Sequence, residues 1–228
     1  MSTLFTVSTV FTVIEIVGVL SFSISGALMA IDKENDVFGV IFLSIITCFG
    51  GGIMRDIIMG QMPAFFTSYV LVITAFVTSI VVFILAAVFK RQYVKNEALV
   101  NSVNNYLDAA GLAVFVVSGV KICISYGATN PFLIILMGVL SGTGGSILRD
   151  IIMREIPHVL RKHIYVLAAF AGVGLYYLLY TLSVDDVIAM PLGALLVFSI
   201  RVCATVFKWN MPKAIDFKRL RAEEDKNS

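Results

Sequence analysis

The stretch CFGGGIMRDIIMG at residues 48–60 sets three adjacent glycines and an Arg-Asp pair inside a run that otherwise reads as a membrane span. A bilayer core penalises both charge and freed backbone groups. At residues 142–154 the chain nearly repeats itself with GTGGSILRDIIMR. A motif so poorly suited to lipid, present twice, points to a protein-lined or water-lined interior within a membrane protein.

The composition agrees. Hydrophobic residues make up 59% of the chain and charged residues 14%, with a mean hydropathy of +0.95. Soluble domains carry roughly 25% charge, so the fold class is an all-α integral membrane protein. A net charge of +2 gives no suggestion of nucleic-acid binding. Cys48, Cys123 and Cys203 each fall in an apolar run, which argues against a disulfide framework. The N-terminal segment lacks the Lys/Arg-rich start of a secretory signal and reads as a retained helix.

A span needs about 20 mostly apolar residues. Seven stretches qualify: 9–31, 37–59, 66–89, 106–126, 131–153, 164–182 and 187–207. Lys33, the Lys90/Arg91/Lys95 group, the Arg154/Arg161/Lys162 group and the basic tail from Lys208 then all face one side. Arg55, Lys121, Arg149 and Arg201 lie within spans, and the opposite face has no Lys or Arg. By the positive-inside rule the N-terminus is expected outside and the C-terminus in the cytoplasm. Residues 208–228 are expected to be a cytoplasmic tail whose polar end KRLRAEEDKNS, 218–228, is frayed or disordered, with Trp209 as an interfacial anchor.

An offset of 94 places Gly50, Gly51, Arg55, Asp56 and Pro63 on Gly144, Gly145, Arg149, Asp150 and Pro157. An offset of 93 places Glu15, Gly18, Phe22, Ser25 and Gly26 on Asp108, Gly111, Phe115, Ser118 and Gly119. Residues 5–89 and 106–182 are therefore two copies of a three-span unit, with span 187–207 left over. An odd number of spans per copy forces the second copy to insert upside down. Such inverted repeats, with glycine-interrupted spans in matching positions, mark a pathway at the repeat interface.

Gly50, Gly51 and Gly52, and Gly142, Gly144 and Gly145 with Ser146 in place of a third consecutive glycine, predict a kink, close helix packing, or both. The adjacent Asp is about 100° round the helix from its Arg and looks a poor partner. Cross pairs of Arg55 with Asp150 and Arg149 with Asp56 are therefore expected. These four charges either line or gate a pathway or merely clamp the helices. Lys121 is expected to snorkel or to act as a gate, Arg201 to snorkel. Glu15 and Asp108 are expected at vestibules, or exposed as interfacial carboxylates.

The doubled GG-x-x-x-RD motif, the three-plus-three inverted spans and the extra helix resemble the prokaryotic trimeric intracellular cation (TRIC) channel family. That family overlaps the bacterial glycine transporter, or UPF0126-type, domain family. The resemblance covers about residues 5–208. It implies a homotrimer with a pore in each protomer, spans two and five kinked at their glycines, and passage of monovalent cations, chiefly potassium, with no cofactor. Beside a channel, a carrier for a small zwitterion such as glycine fits the same motif. An enzyme does not: SGTGGS at 141–146 lacks a nearby histidine in sequence, a metal-ligand cluster and the phosphate-loop ending.

Overall fold

The computed structural model describes residues 2–161 and 164–209. The expected tail from residue 210 onward, with Lys162 and His163, lies outside the described residues. Ten helices are described: α1 (Ser2–Asp32), α2 (Val37–Ile58), α3 (Ala64–Thr67), α4 (Tyr69–Val88), α5 (Lys90–Lys95), α6 (Glu97–Ser125), α7 (Pro131–Ile152), α8 (His158–Arg161), α9 (Ile164–Thr181) and α10 (Asp186–Val206). Seven of them, α1, α2, α4, α6, α7, α9 and α10, are long and apolar enough to cross a membrane.

The expected loop at 90–105 is a correction. It is helical, forming α5 and the first turns of α6, because its Lys, Gln, Glu and Ala content favours helix even where polarity ends the span. Tyr93 Oη donates to Asp32 Oδ1 at 2.7 Å and Lys33 pairs with Glu155, so segments 32–36, 90–105 and 154–163 meet on one face.

Chain punctuation repeats with the sequence. The side chain of Asp36 caps α2 by accepting from Gly39 N at 2.8 Å, and Asn130 caps α7 by accepting from Phe132 N at 2.9 Å. Gly60 (φ +67°) after α2 is matched by Arg154 (φ +55°) after α7. Glycine adopts that left-handed conformation freely; the arginine adopts it against a penalty of about 1–2 kcal/mol.

Contacts between the two copies are reciprocal, the signature of a two-fold axis. Phe22 stacks on its own counterpart Phe115 with centroids 5.2 Å apart. A Cβ on Gly111 would lie 2.1 Å from Phe22, and one on Gly18 3.2 Å from Phe115. The axis passes between antiparallel α2 and α7. The copies differ in their outer cover. α4 exposes Ile73, Val77 and Ile84 along its length, whereas α10 packs against α9 and α6, with Gly172 meeting Val197.

Candidate functional site

At the centre α2 and α7 touch backbone to backbone. A Cβ on Gly51 would lie 2.3 Å from Ser141 O, and one on Gly145 2.1 Å from Thr47 O. One on Gly144 would lie 2.8 Å from Gly51 Cα. Both helices run unbroken through their glycines, and these glycines serve the expected close packing. A Cβ on Gly142 would meet Val116 at 2.4 Å, so that glycine packs against α6 instead. Gly52 differs, since a Cβ there would find only Arg55 Nη2 at 3.7 Å.

The Arg-Asp motifs end up at opposite ends of this seam. Gly51 sits against Ser141 and Gly145 against Thr47, so each step along α2 is a step back along α7. With Gly144 against Gly51 and Gly50 against Gly145, nine residues separate Arg55 and Arg149 in this register, about 14 Å along the seam at 1.5 Å per residue. The expected cross pairs are therefore out of reach. Arg55 instead grips Asp56, with Nε to Oδ1 at 2.8 Å and Nη2 to Oδ1 at 2.6 Å. Arg149 grips Asp150 in the same way, both contacts at 2.9 Å. The long arginine stem sweeps round the last helical turn, which a radial projection of side chains ignores. The second carboxylate oxygen accepts from the backbone of the following segment: Ala64 N to Asp56 at 2.9 Å, His158 N to Asp150 at 2.8 Å. All four charges are buried.

Beside Arg55 lies a cavity of about 40 Å³. Its walls come mostly from α2 and α6, with Glu15 of α1, Leu71 of α4 and Ser141 of α7. Arg55 Nη1 donates to Ser141 Oγ at 3.3 Å. Ser118 Oγ faces this cavity, buried and without a hydrogen-bond partner. Glu15 is half-buried on the cavity wall, while its counterpart Asp108 is only 5% exposed. Asp108 is thus no water-facing vestibule group; two arginines enclose it.

At the other end the counterpart residues are tied to one another. Arg149 Nη1 donates to Ser25 Oγ at 3.1 Å and to Asp108 Oδ1 at 3.3 Å. Where the first copy has Gly52 and Leu71, the second has Ser146 and Tyr165, hydrogen-bonded to each other at 2.9 Å. Arg201 of α10 lies over the Tyr165 ring at 4.4 Å and reaches Asp108 at 3.6 Å. Its expected snorkelling is a correction: Arg201 is 3% exposed, because a buried carboxylate and an aromatic face replace water as its partners. His158 also belongs here, with Nδ1 at 3.5 Å from Arg149 Nη2.

Lys121 does not line the cavity. It pairs with Asp186 at the start of α10, which also accepts from Tyr176 Oη at 2.8 Å. Sequence reading missed Tyr165, His158 and the serines Ser25 and Ser118 as site residues. The signal for Tyr165 was its alignment with Leu71, beside the Gly52-to-Ser146 change.

The family described as Glycine transporter matches residues 12–87 and again 105–181. The UPF0126 inner membrane protein YadS of Escherichia coli (strain K12) is 36% identical over 200 residues, covering 87% of this chain and 92% of its own. A solved structure described as a prokaryotic TRIC channel in 0.5 M KCl superposes with a TM-score of 0.80 at 30% identity, over 90% of this chain and all of its own. A TRIC trimeric intracellular cation channel orthologue from Rhodobacter sphaeroides gives 0.78 at 30% identity, over 88% and 100% of the two chains. With seven apolar helices, this is a multi-pass protein of the prokaryotic plasma membrane. Sequence and fold together make it a member of the glycine transporter (UPF0126) family, built on the fold of the prokaryotic TRIC channels.

Proposed function

We propose that this chain is a cation channel, assembled as a homotrimer and passing potassium through a conduit in each protomer alongside the α2/α7 seam. Gly50, Gly51, Gly144 and Gly145 form the seam, Gly52 and Ser146 its flanks, and Arg55, Asp56, Arg149 and Asp150 the charged ends. The N-terminus faces outside. The observation that carries this reading is the cavity at Arg55, whose mainly apolar wall carries the Glu15 carboxyl and the Ser118 hydroxyl beside the Arg55–Asp56 pair, the hydroxyl without a hydrogen-bond partner among the described residues. Likeness to TRIC channels over nearly the whole chain supports the channel class, and the description of one such structure as trimeric supports the assembly. No step of bond chemistry is assigned to the chain.

A carrier for a zwitterion is the second reading, favoured by the guanidinium and the separate Glu15 carboxylate on one cavity and by the family's description. Size weighs against it. A cavity of about 40 Å³ suits one or two waters at about 30 Å³ each, less than the five heavy atoms of glycine need. Single-channel recording of the purified protein under potassium, sodium and glycine gradients separates the two. Unitary potassium steps are expected; saturable glycine uptake without steps would replace the channel by the carrier.

A further inference from the structure

We propose that the protein carries a phospholipid site where segments 32–36 and 90–97 meet, taking a phosphoethanolamine headgroup with its phosphate on Lys90 and its ammonium on Glu97 and Glu34. The site is a second cavity, lined by none of the residues of either Arg-Asp motif, and it needs no channel.

This cavity holds about 680 Å³, within the range of about 300–1,000 Å³ usual for small-molecule sites. One wall is the end of α1 and the loop after it, from Ile31 to Asn35. The other comes from the end of α4, from α5 and from the first residue of α6. There Phe83, Ala87, Lys90, Tyr93 and Glu97 recur every three or four residues, the spacing of one helical face. Ala86 and Ala87 come between the two aromatic residues of that series, and their small side chains leave the room.

Polarity divides the wall. Ile31, Phe83, Ala86 and Ala87 are apolar and belong to spans, whereas the charged residues stand at or beyond the span ends. The cavity thus straddles the level where hydrocarbon gives way to water. α4 is the least buried of the seven described spans, and Ile84, Leu85 and Val88 on its last turns are exposed. Acyl chains therefore have an apolar track beside the place of the headgroup.

Charge selects the headgroup. Asp32 accepts from Tyr93 Oη, and Lys33 is engaged by Glu155. Among the described residues, Glu34, Lys90 and Glu97 have neither an ion pair nor a side-chain hydrogen bond. A ligand that answers all three carries one anionic group and one cationic donor, as a phosphodiester joined to a primary ammonium does. The cavity as a whole has three carboxylates against two ammonium groups, which disfavours a headgroup of net negative charge. A choline headgroup balances charge equally well, but its quaternary nitrogen has no N–H to give to a carboxylate.

The test reads lipid bound to the full-length chain by native mass spectrometry. The protein is first equilibrated in nanodiscs of equimolar phosphatidylethanolamine and phosphatidylglycerol. The parent is expected to retain the ethanolamine lipid over the glycerol lipid by about tenfold, and over phosphatidylcholine by about fivefold. Lys90→Ala is expected to lower the retained lipid about fivefold. Glu34→Gln with Glu97→Gln is expected to keep lipid but bring ethanolamine and glycerol headgroups within about twofold of each other. A parent without preference overturns the site, and so does either variant that leaves its readout unmoved. Glycerophosphoethanolamine, the headgroup without chains, is expected not to displace the lipid; displacement at equal concentration would make this a site for a soluble phosphodiester and overturn the lipid assignment. All three substituted residues are exposed, so the variants are expected to fold. If Lys90→Ala does not, Ala87→Phe, which fills the cavity from an exposed wall, decides in its place by losing the lipid or keeping it. Neither result depends on ion flux, so a failed channel reading leaves the site standing, and a failed site leaves the channel reading standing.

Discussion

The Arg55 and Arg149 ends share caps, glycine seam, Arg-Asp grip and tethered short helix, residue for residue. Around Arg55 stand Gly52, Leu71 and Glu15, and about 40 Å³ remains empty. Around Arg149 stand Ser146, Tyr165, Asp108 and the added Arg201, joined by a hydrogen bond, ion pairs and a ring contact. Duplication preserved the groups that hold backbone together and changed those that only occupy volume. What is common to the two ends is therefore architecture, and what distinguishes them is the better guide to activity.

The comparison is exposed to measurement, beginning with the largest effect. Arg149→Met leaves Asp150 without its guanidinium and Asp108 with Arg201 alone, and breaking such a buried pair is expected to destabilise by about 3–5 kcal/mol. Arg55→Met leaves Asp56 its Ala64 N–H beside a cavity, so a smaller loss of about 2 kcal/mol is expected. Thermal unfolding in detergent that ranks the two the other way would break the asymmetry. Next, Gly51→Ala and Gly145→Ala force a methyl to 2.3 and 2.1 Å from facing carbonyls. Both are expected to cost about 3 kcal/mol, equally, whereas Gly52→Ala stays within about 0.5 kcal/mol because its side is open. Unequal losses at the first two positions would show that the seam is not two-fold.

A graft sharpens the contrast. Gly52→Ser with Leu71→Tyr copies the Ser146–Tyr165 pair of the Arg149 end into the cavity at Arg55. Potassium flux is expected to fall at least tenfold while stability moves by no more than about 1 kcal/mol; undiminished flux would place the conduit elsewhere. The last contrast concerns the matched serines. Ser25→Ala removes an acceptor from a buried guanidinium, about 1.5–3 kcal/mol, while Ser118→Ala removes an unpartnered hydroxyl at about 0.5 kcal/mol or less. Equal losses would mean that Ser118 has a partner in solution.

Much of the fold was legible because a bilayer imposes length and apolarity on every span. All seven helices fell where hydropathy set them, while the paired caps Asp36 and Asn130 emerged only from the structure. The start of α6 at Glu97 was misjudged because hydropathy marks where lipid ends, not where helix ends. The site was half legible. Glycine and Arg-Asp positions could be read, but their pairing could not, since a helical wheel treats arginine as a short radial spoke. Arg201 was misplaced because a basic residue near a span end ordinarily turns to water; only the folded chain brings Asp108 and Tyr165 to meet it.

Each aspartate of the motif is held at both of its oxygens, one by the guanidinium before it and one by the main chain of the short helix after it. A single carboxylate thus works as a crank between surface and interior. Tugging the segment outside α2 must turn Arg55, and turning Arg55 must shift that segment. Anything that grasps the surface turn therefore has a mechanical handle on the charge within.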